Sequence, residues 1–120
     1  MSTGQRQFKR LFAQRLGATT VSLNGSPQEP CTLMDISVGG LRLLFERVLP
    51  ESSLGTGAQV QGLIESSAPG FALNFKGKVV WNRRAALVGE AATMIGVSFQ
   101  DYTELPESLL HLIDDFGQAD

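Results

Sequence analysis

Histidine and cysteine each occur once, as His111 and Cys31, and that scarcity removes several chemistries at once. A lone cysteine cannot close a disulfide within the chain. Neither a Cys-x-x-Cys pair nor two histidines at ligand spacing is there to hold zinc. Cys31 lies in an apolar run and reads as a buried structural thiol rather than a nucleophile, and His111 reads as a surface or half-packed residue. A Walker-type phosphate loop, a dinucleotide fingerprint and a nucleophile elbow are all missing. Asp114 and Asp115 are adjacent, but neighbours on a helix point about 100° apart, so they read as a solvated helix end. With no catalytic constellation, the expectation is that the protein is not an enzyme and needs no cofactor or metal. No opening apolar stretch has the form of a signal peptide, and no apolar run is long enough to cross a bilayer. A cytoplasmic protein without membrane insertion is therefore expected.

Excess positive charge is missing too. Ten Lys and Arg against twelve Asp and Glu give a net charge of −2, which argues against general binding to DNA or RNA. A small barrel that binds single-stranded nucleic acid would want a basic groove with interleaved aromatics, whereas here the middle of the chain is balanced and its aromatics fall mostly on core-facing positions. The distribution is more informative than the sum. Residues 1–15 hold four basic side chains and no acidic one, while residues 101–120 hold six acidic ones and no Lys or Arg. A short basic arm suits a compact anion better than a long polyanion.

What the chain does have is a single domain's worth of globular sequence: 120 residues, 42% hydrophobic and 18% charged. Strands are expected at 18–23, 31–36, 41–45, 58–64, 71–74, 77–81 and 94–99, with Asn24-Gly25 as a turn and 83–92 ambiguous, readable as a loop. Within 71–76, Phe71, Leu73 and Phe75 alternate with polar or small residues. Trp81 is expected to end its strand as a core or rim residue, and Arg83 and Arg84 read as a charged loop. Phe8, Leu11 and Phe12 are expected to anchor the arm. Near the end, Leu105, Leu109, Leu112, Ile113 and Phe116 recur at helical spacing after Thr103 as N-cap, with Pro106 in the first turn and Gly117 as the stop. The spacing predicts an amphipathic helix over 103–117 that packs on the sheet. Several short, turn-bounded strands suggest a barrel or a sandwich, so the division expected is a basic arm over 1–15, that barrel or sandwich over 16–102 and this helix.

Two short stretches carry the functional reading. Asp35-Ile36-Ser37-Val38-Gly39-Gly40 joins two apolar runs as a strand, a tight turn and a second strand. Strict alternation would put Leu33, Asp35 and Ser37 on one face and Met34, Ile36 and Val38 on the core face. The glycines then serve either φ > 0 in the turn or the approach of a ligand to bare backbone. Upstream, Arg6-Gln7-Phe8-Lys9-Arg10 places two arginines four positions apart, a spacing that brings both guanidinium groups to one side. Convergent arginines, a carboxylate, a hydroxyl and open backbone together outline a site for an anionic nucleotide.

These residues resemble the PilZ domain, a small bacterial β-barrel family that binds cyclic di-GMP. Its Arg-x-x-x-Arg motif stands here as Arg6 to Arg10 and its Asp/Asn-x-Ser-x-x-Gly motif as Asp35 to Gly40. Gly77-Lys78-Val79-Val80-Trp81 and Ile95-Gly96-Val97-Ser98-Phe99 are similar to two later strands of the family, so the likeness runs from about Arg6 to Phe99. The resemblance implies a mainly β protein, a six-stranded antiparallel barrel with a flexible N-terminal arm and a C-terminal helix. It implies a receptor for cyclic di-GMP that orders its arm on binding and signals to a downstream protein in motility, exopolysaccharide or biofilm control. Carried over by position, Arg6 and Arg10 would pair with phosphate or guanine edges, Asp35 would accept from guanine N1–H and N2–H₂, Ser37 would add a hydroxyl and Gly40 would keep the turn open. Gln5, Lys9, Gly39, Arg42 and Trp81 are further candidate contacts. The alternative is a PilZ-like adaptor that binds proteins and no nucleotide.

Overall fold

Phe71, Leu73 and Phe75 are buried while Ala72, Asn74 and Lys76 between them are exposed, the alternation of a strand with one face on a core. The computed structural model describes residues 9–24, 30–49, 54–67, 70–87, 89–100 and 105–118, so Gln5, Arg6, Phe8, Gly25 and Thr103 lie outside the described residues. Its strands are β1 (Leu11–Phe12), β2 (Thr19–Leu23), β3 (Cys31–Ile36), β4 (Gly40–Phe45), β5 (Gln59–Ser66), β6 (Phe71–Leu87) and β7 (Glu90–Phe99), followed by helix α1 (Glu107–Phe116). Every ladder is antiparallel, in the order β1-β3-β4-β7-β6-β5-β2.

The mainly antiparallel β architecture with one C-terminal helix is the expected one, but the count differs. Among the described residues seven strands replace six because the arm contributes β1, with Leu11 opposite Ile36 and Phe12 opposite Asp35. The sheet curls without closing its ladder: β2 comes alongside β3, with Cα atoms within 8 Å, while β1 and β2 end the hydrogen-bonded order. The segment expected to be a loop, 83–92, is instead the end of one long hairpin. β6 runs through Arg83 and Arg84 to Leu87, and β7 starts at Glu90. Gly89 turns the chain between them at φ 81°. Trp81 is therefore in mid-strand. The same β6 pairs with β5 over its first half and with β7 over its second. Gly77 sits where the two meet, and a Cβ there would lie 2.5 Å from the Val97 side chain and 2.6 Å from the Ser98 carbonyl oxygen, the close approach that favours glycine inside a strand.

Inside the curl lie Leu33, Ile36, Leu43, Phe45, Ile64, Val79 and Ile95, all 1% exposed or less. Full burial of each such side chain contributes about 1.5–3 kcal/mol, and this shared interior holds the ladders in register. The helix covers it beside β1 through Leu109 and Ile113, with Leu105 just before the first turn. It begins after Pro106, the residue at its N-cap, three positions later than the expected Thr103. Phe116 does not complete the buried stripe; it is exposed, with the Arg15 guanidinium 4.9 Å from its ring centroid. Of the arm's apolar residues, Leu11 is fully buried and Phe12 is exposed. Cys31 is half-buried, and burial pushes its thiol up to about 11.

Candidate functional site

The β3–β4 hairpin departs from strict alternation, and the departure builds the site. Leu33 pairs with Leu43 and Asp35 with Arg42, so Met34 is an extra residue against β4, a bulge. Leu33 and Ile36 consequently both reach the core, and Asp35 points to the opposite face with Arg42. Leu33 and Asp35 do not share a face, as alternation alone would require. Val38, assigned by alternation to the core, is exposed at the turn, whereas Ser37 is buried.

Asp35 is fully buried and sits beneath two arginines. Arg10 Nη1 donates to its Oδ1 at 3.3 Å, and Arg42 donates to its Oδ2 from Nε at 2.8 Å and also from Nη2. Charge-assisted pairing of this kind fixes the orientation of a guanidinium as well as its position. Arg10 comes from the arm, Arg42 from β4, and the carboxylate of β3 holds both. In the turn, the Ser37 amide donates to the Gly40 carbonyl at 2.8 Å, and Ser37 Oγ accepts from the Gly39 amide at 3.2 Å. Neither glycine has a positive φ. Gly40 is required for another reason: a Cβ there would overlap the Val97 carbonyl oxygen of β7.

A second bulge lies across the sheet. Val79 pairs with Val97 and Trp81 with Gly96, leaving Val80 extra and exposed. The indole lies over Gly96, where any Cβ would strike the ring, and the Arg83 guanidinium sits 4.5 Å from the ring centroid. Between the two bulges is an open cavity of about 300 Å³ lined by Arg10, Ser37, Gly39, Gly40, Arg42 and Trp81, with β7 residues as its floor. That volume is at the lower end of small-molecule sites, which span about 300–1,000 Å³.

Most of the candidate residues thus meet in one place. Asp35 is the exception in kind: it lies under the cavity and braces the arginines rather than lining it. Lys9 faces elsewhere, its ammonium donating to the Asp114 carbonyl oxygen of α1 at 3.1 Å. Arg6 and Gln5 lie outside the described residues. Sequence reading missed Arg83, Gly96 and Ser98. Strand periodicity does put Arg42 on the face opposite Leu41 and Leu43, but the facing of Gly96 and Trp81 depends on a cross-strand register shifted by the Val80 bulge. Among the described residues no group of His, Cys, Asp or Glu could hold a metal, and no helix is long and apolar enough to cross a membrane.

A search of curated proteins gives no match to this chain. Among solved structures it resembles the PilZ domain, with c-di-GMP, of YcgR from Escherichia coli, at 14% identity and a TM-score of 0.60, over 92% of this chain and 86% of that one. The family model described as PilZ domain matches residues 4–114. Matched over nearly its whole length, the chain belongs to the PilZ domain family.

Proposed function

We propose that the protein is a non-catalytic receptor for cyclic di-GMP. The observation that carries this reading is the convergence of Arg10 and Arg42 on Asp35 at the edge of a cavity that also presents Ser37, Gly39, Gly40 and the Trp81 indole. The ligand has two phosphates and two guanines, and guanidinium groups fit both, through forked pairing to phosphate oxygens or to the guanine O6/N7 edge and through stacking. In this reading Arg10 and Arg42 contact the ligand, Ser37 and the turn backbone shape its seat, and Trp81 offers a ring face. Asp35 acts from beneath by holding both arginines. Arg6 is proposed as a second arm contact on its place in the motif alone. Membership of the family and likeness to a c-di-GMP-bound domain support the reading. Transmission to a downstream protein through the arm belongs to the same proposal, as does the absence of catalysis.

Isothermal titration with cyclic di-GMP, using GTP and cyclic di-AMP as controls, tests it. Saturable, guanine-selective binding that is lost in Arg10→Ala is expected. No heat at high micromolar ligand would sink the receptor reading and leave a protein-binding adaptor in its place.

A further inference from the structure

On the far side of Lys9 and the hairpin turn lies a second concavity, an open groove of about 460 Å³ between α1, the arm and Val38. Its floor is apolar. Val38 is 42% and Leu110 40% exposed, and both line it. Six large hydrophobic residues are exposed to this degree among the described residues. Two of them facing one groove form a patch rather than the scatter normal on a surface. The rim is acidic, from Glu107 and Asp114. Glu107 stands in the first turn of α1, and at the other end, beyond Asp114, no basic residue in the last turn offsets the negative end of the helix dipole. Among the described residues, the other titratable groups facing the groove are His111 and Lys9, whose ammonium donates to the Asp114 carbonyl. With two carboxylates to one ammonium among its described residues, such a rim disfavours phosphate backbones and anionic lipid.

We infer that this groove docks a basic amphipathic segment of a partner protein. Apolar side chains of that segment cover Val38 and Leu110, and its Lys or Arg side chains face Glu107 and Asp114. Recognition of an apolar anchor series flanked by charge is a recurrent mode for peptides in grooves, and the charge pattern here selects the basic kind.

The groove shares backbone with the cavity. Lys9 precedes Arg10, and Val38 follows Ser37. The Arg10 amide donates to the Gln118 carbonyl at 2.9 Å and the Gln118 amide donates to the Arg10 carbonyl at 2.7 Å, which clamps the arm to the chain leaving α1. Gly117 permits this approach, since a Cβ there would lie 2.8 Å from Lys9 Cβ. A ligand that repositions Arg10 therefore acts one residue away from the groove wall. This coupling, unlike the docking site itself, rests on the receptor reading above.

The test is selection of a displayed random-peptide library on the full chain, with the double variant Val38→Asp, Leu110→Asp as counter-target. Both positions are exposed, so the variant keeps its fold, which circular dichroism checks. Peptides retained by the wild type alone are expected to carry Lys or Arg around apolar residues. Their affinity is expected to fall at least about tenfold in Glu107→Lys, Asp114→Lys. Identical pools from both proteins, or a pool without basic bias, would overturn the docking site. So would a dimer in sedimentation that the double variant dissociates, because a second copy would then be the occupant. Saturating cyclic di-GMP is expected to shift the affinity of a selected peptide about threefold or more, a coupling of modest size. Unchanged affinity, with the ligand shown to bind by calorimetry, overturns the coupling alone. Failure of the ligand to bind at all counts against the receptor reading and leaves the groove standing.

Discussion

One half of the sheet keeps its alternation and the other breaks it twice, and among the described residues the candidate site lies in the broken half. In β5 and the first half of β6 buried residues alternate with exposed or half-buried ones, opposite partners are in constant register, and the outward side chains include Gln59, Gln61, Asn74 and Lys76. In β3 and the second half of β6, Met34 and Val80 are extra residues. A bulge bends its strand and increases the local twist. Here the two of them bracket the cavity, Asp35 following one and Trp81 the other. Regularity serves the core. The irregular half re-aims a carboxylate and an indole out of the interior of the curled sheet while Leu33, Ile36 and Val79 stay in it.

The sharpest way to break this contrast is to delete single residues. Removing Asn74 from β6 shifts the remaining strand by one, which turns one side's apolar set outward. We expect loss of any cooperative thermal transition, monitored by circular dichroism. Removing Val80 instead restores an even ladder with Val79 and Trp81 on their present partners, so a cooperative transition is expected to survive. A Val80 deletion that unfolds the protein as thoroughly as the Asn74 deletion would show that the bulge is a requirement of the fold rather than of the site.

Next in size is Asp35→Ala. It leaves Arg10 and Arg42 without the carboxylate that orients them, and cyclic di-GMP affinity is expected to fall at least about a hundredfold, or about 2.7 kcal/mol. Stability should fall by only about 1–3 kcal/mol, because each arginine side chain is about a third exposed and can regain water. Leu73→Ala on the regular half should do the opposite. A core cavity there is expected to cost about 2–5 kcal/mol, read from chemical denaturation, with ligand affinity in calorimetry unchanged below the transition. Equal losses of affinity in the two variants would mean that the site has no bracing of its own.

The same contrast explains what the sequence allowed to be read. Where alternation is intact, as at Phe71, Leu73 and Phe75, side-chain direction follows from spacing alone, and the expected faces are the observed ones. The stretch from Arg83 to Ala92 is ambiguous in the sequence because Asn82, Arg83 and Arg84 interrupt the apolar pattern. Those residues are in a strand by virtue of pairing with β7, a tertiary cause that local composition does not carry. Of the residues that meet at the cavity, Arg10, Ser37 and Gly40 belong to the motifs, whereas Trp81 reads from sequence as a core or rim residue and only as a further candidate contact. The burial of Asp35 and its grip on Arg42 are not legible in the sequence, since both follow from the extra residue at Met34, and nothing in Leu33-Met34-Asp35 marks a bulge. Gly40 reads from sequence either as a turn residue with φ > 0 or as bare backbone for a ligand, and it is needed for its missing Cβ against Val97, which only the neighbouring strand decides.

The smallest effect separates the two regimes within one strand. Cys31 lies three residues before the bulge and one face of it packs on the core, where burial pushes its thiol from 9.0 up to about 11. A thiolate is the reactive form, so alkylation of the native protein at pH 8 should be much slower than that of the unfolded chain. The native rate should rise with pH toward 11. The linked effect on stability has a definite sign. The folded pKa is the higher one, so the contribution is complete below pH 9 and is lost as pH rises through 11, where the unfolded chain has already released the proton. Denaturation of Cys31→Ser alongside the wild type isolates this term from lysine and tyrosine titration, because the serine variant lacks it. If the two proteins lost stability in parallel between pH 9 and 11, Cys31 would be in contact with water, and the apolar packing of β3 ahead of the bulge would be looser than its neighbours require.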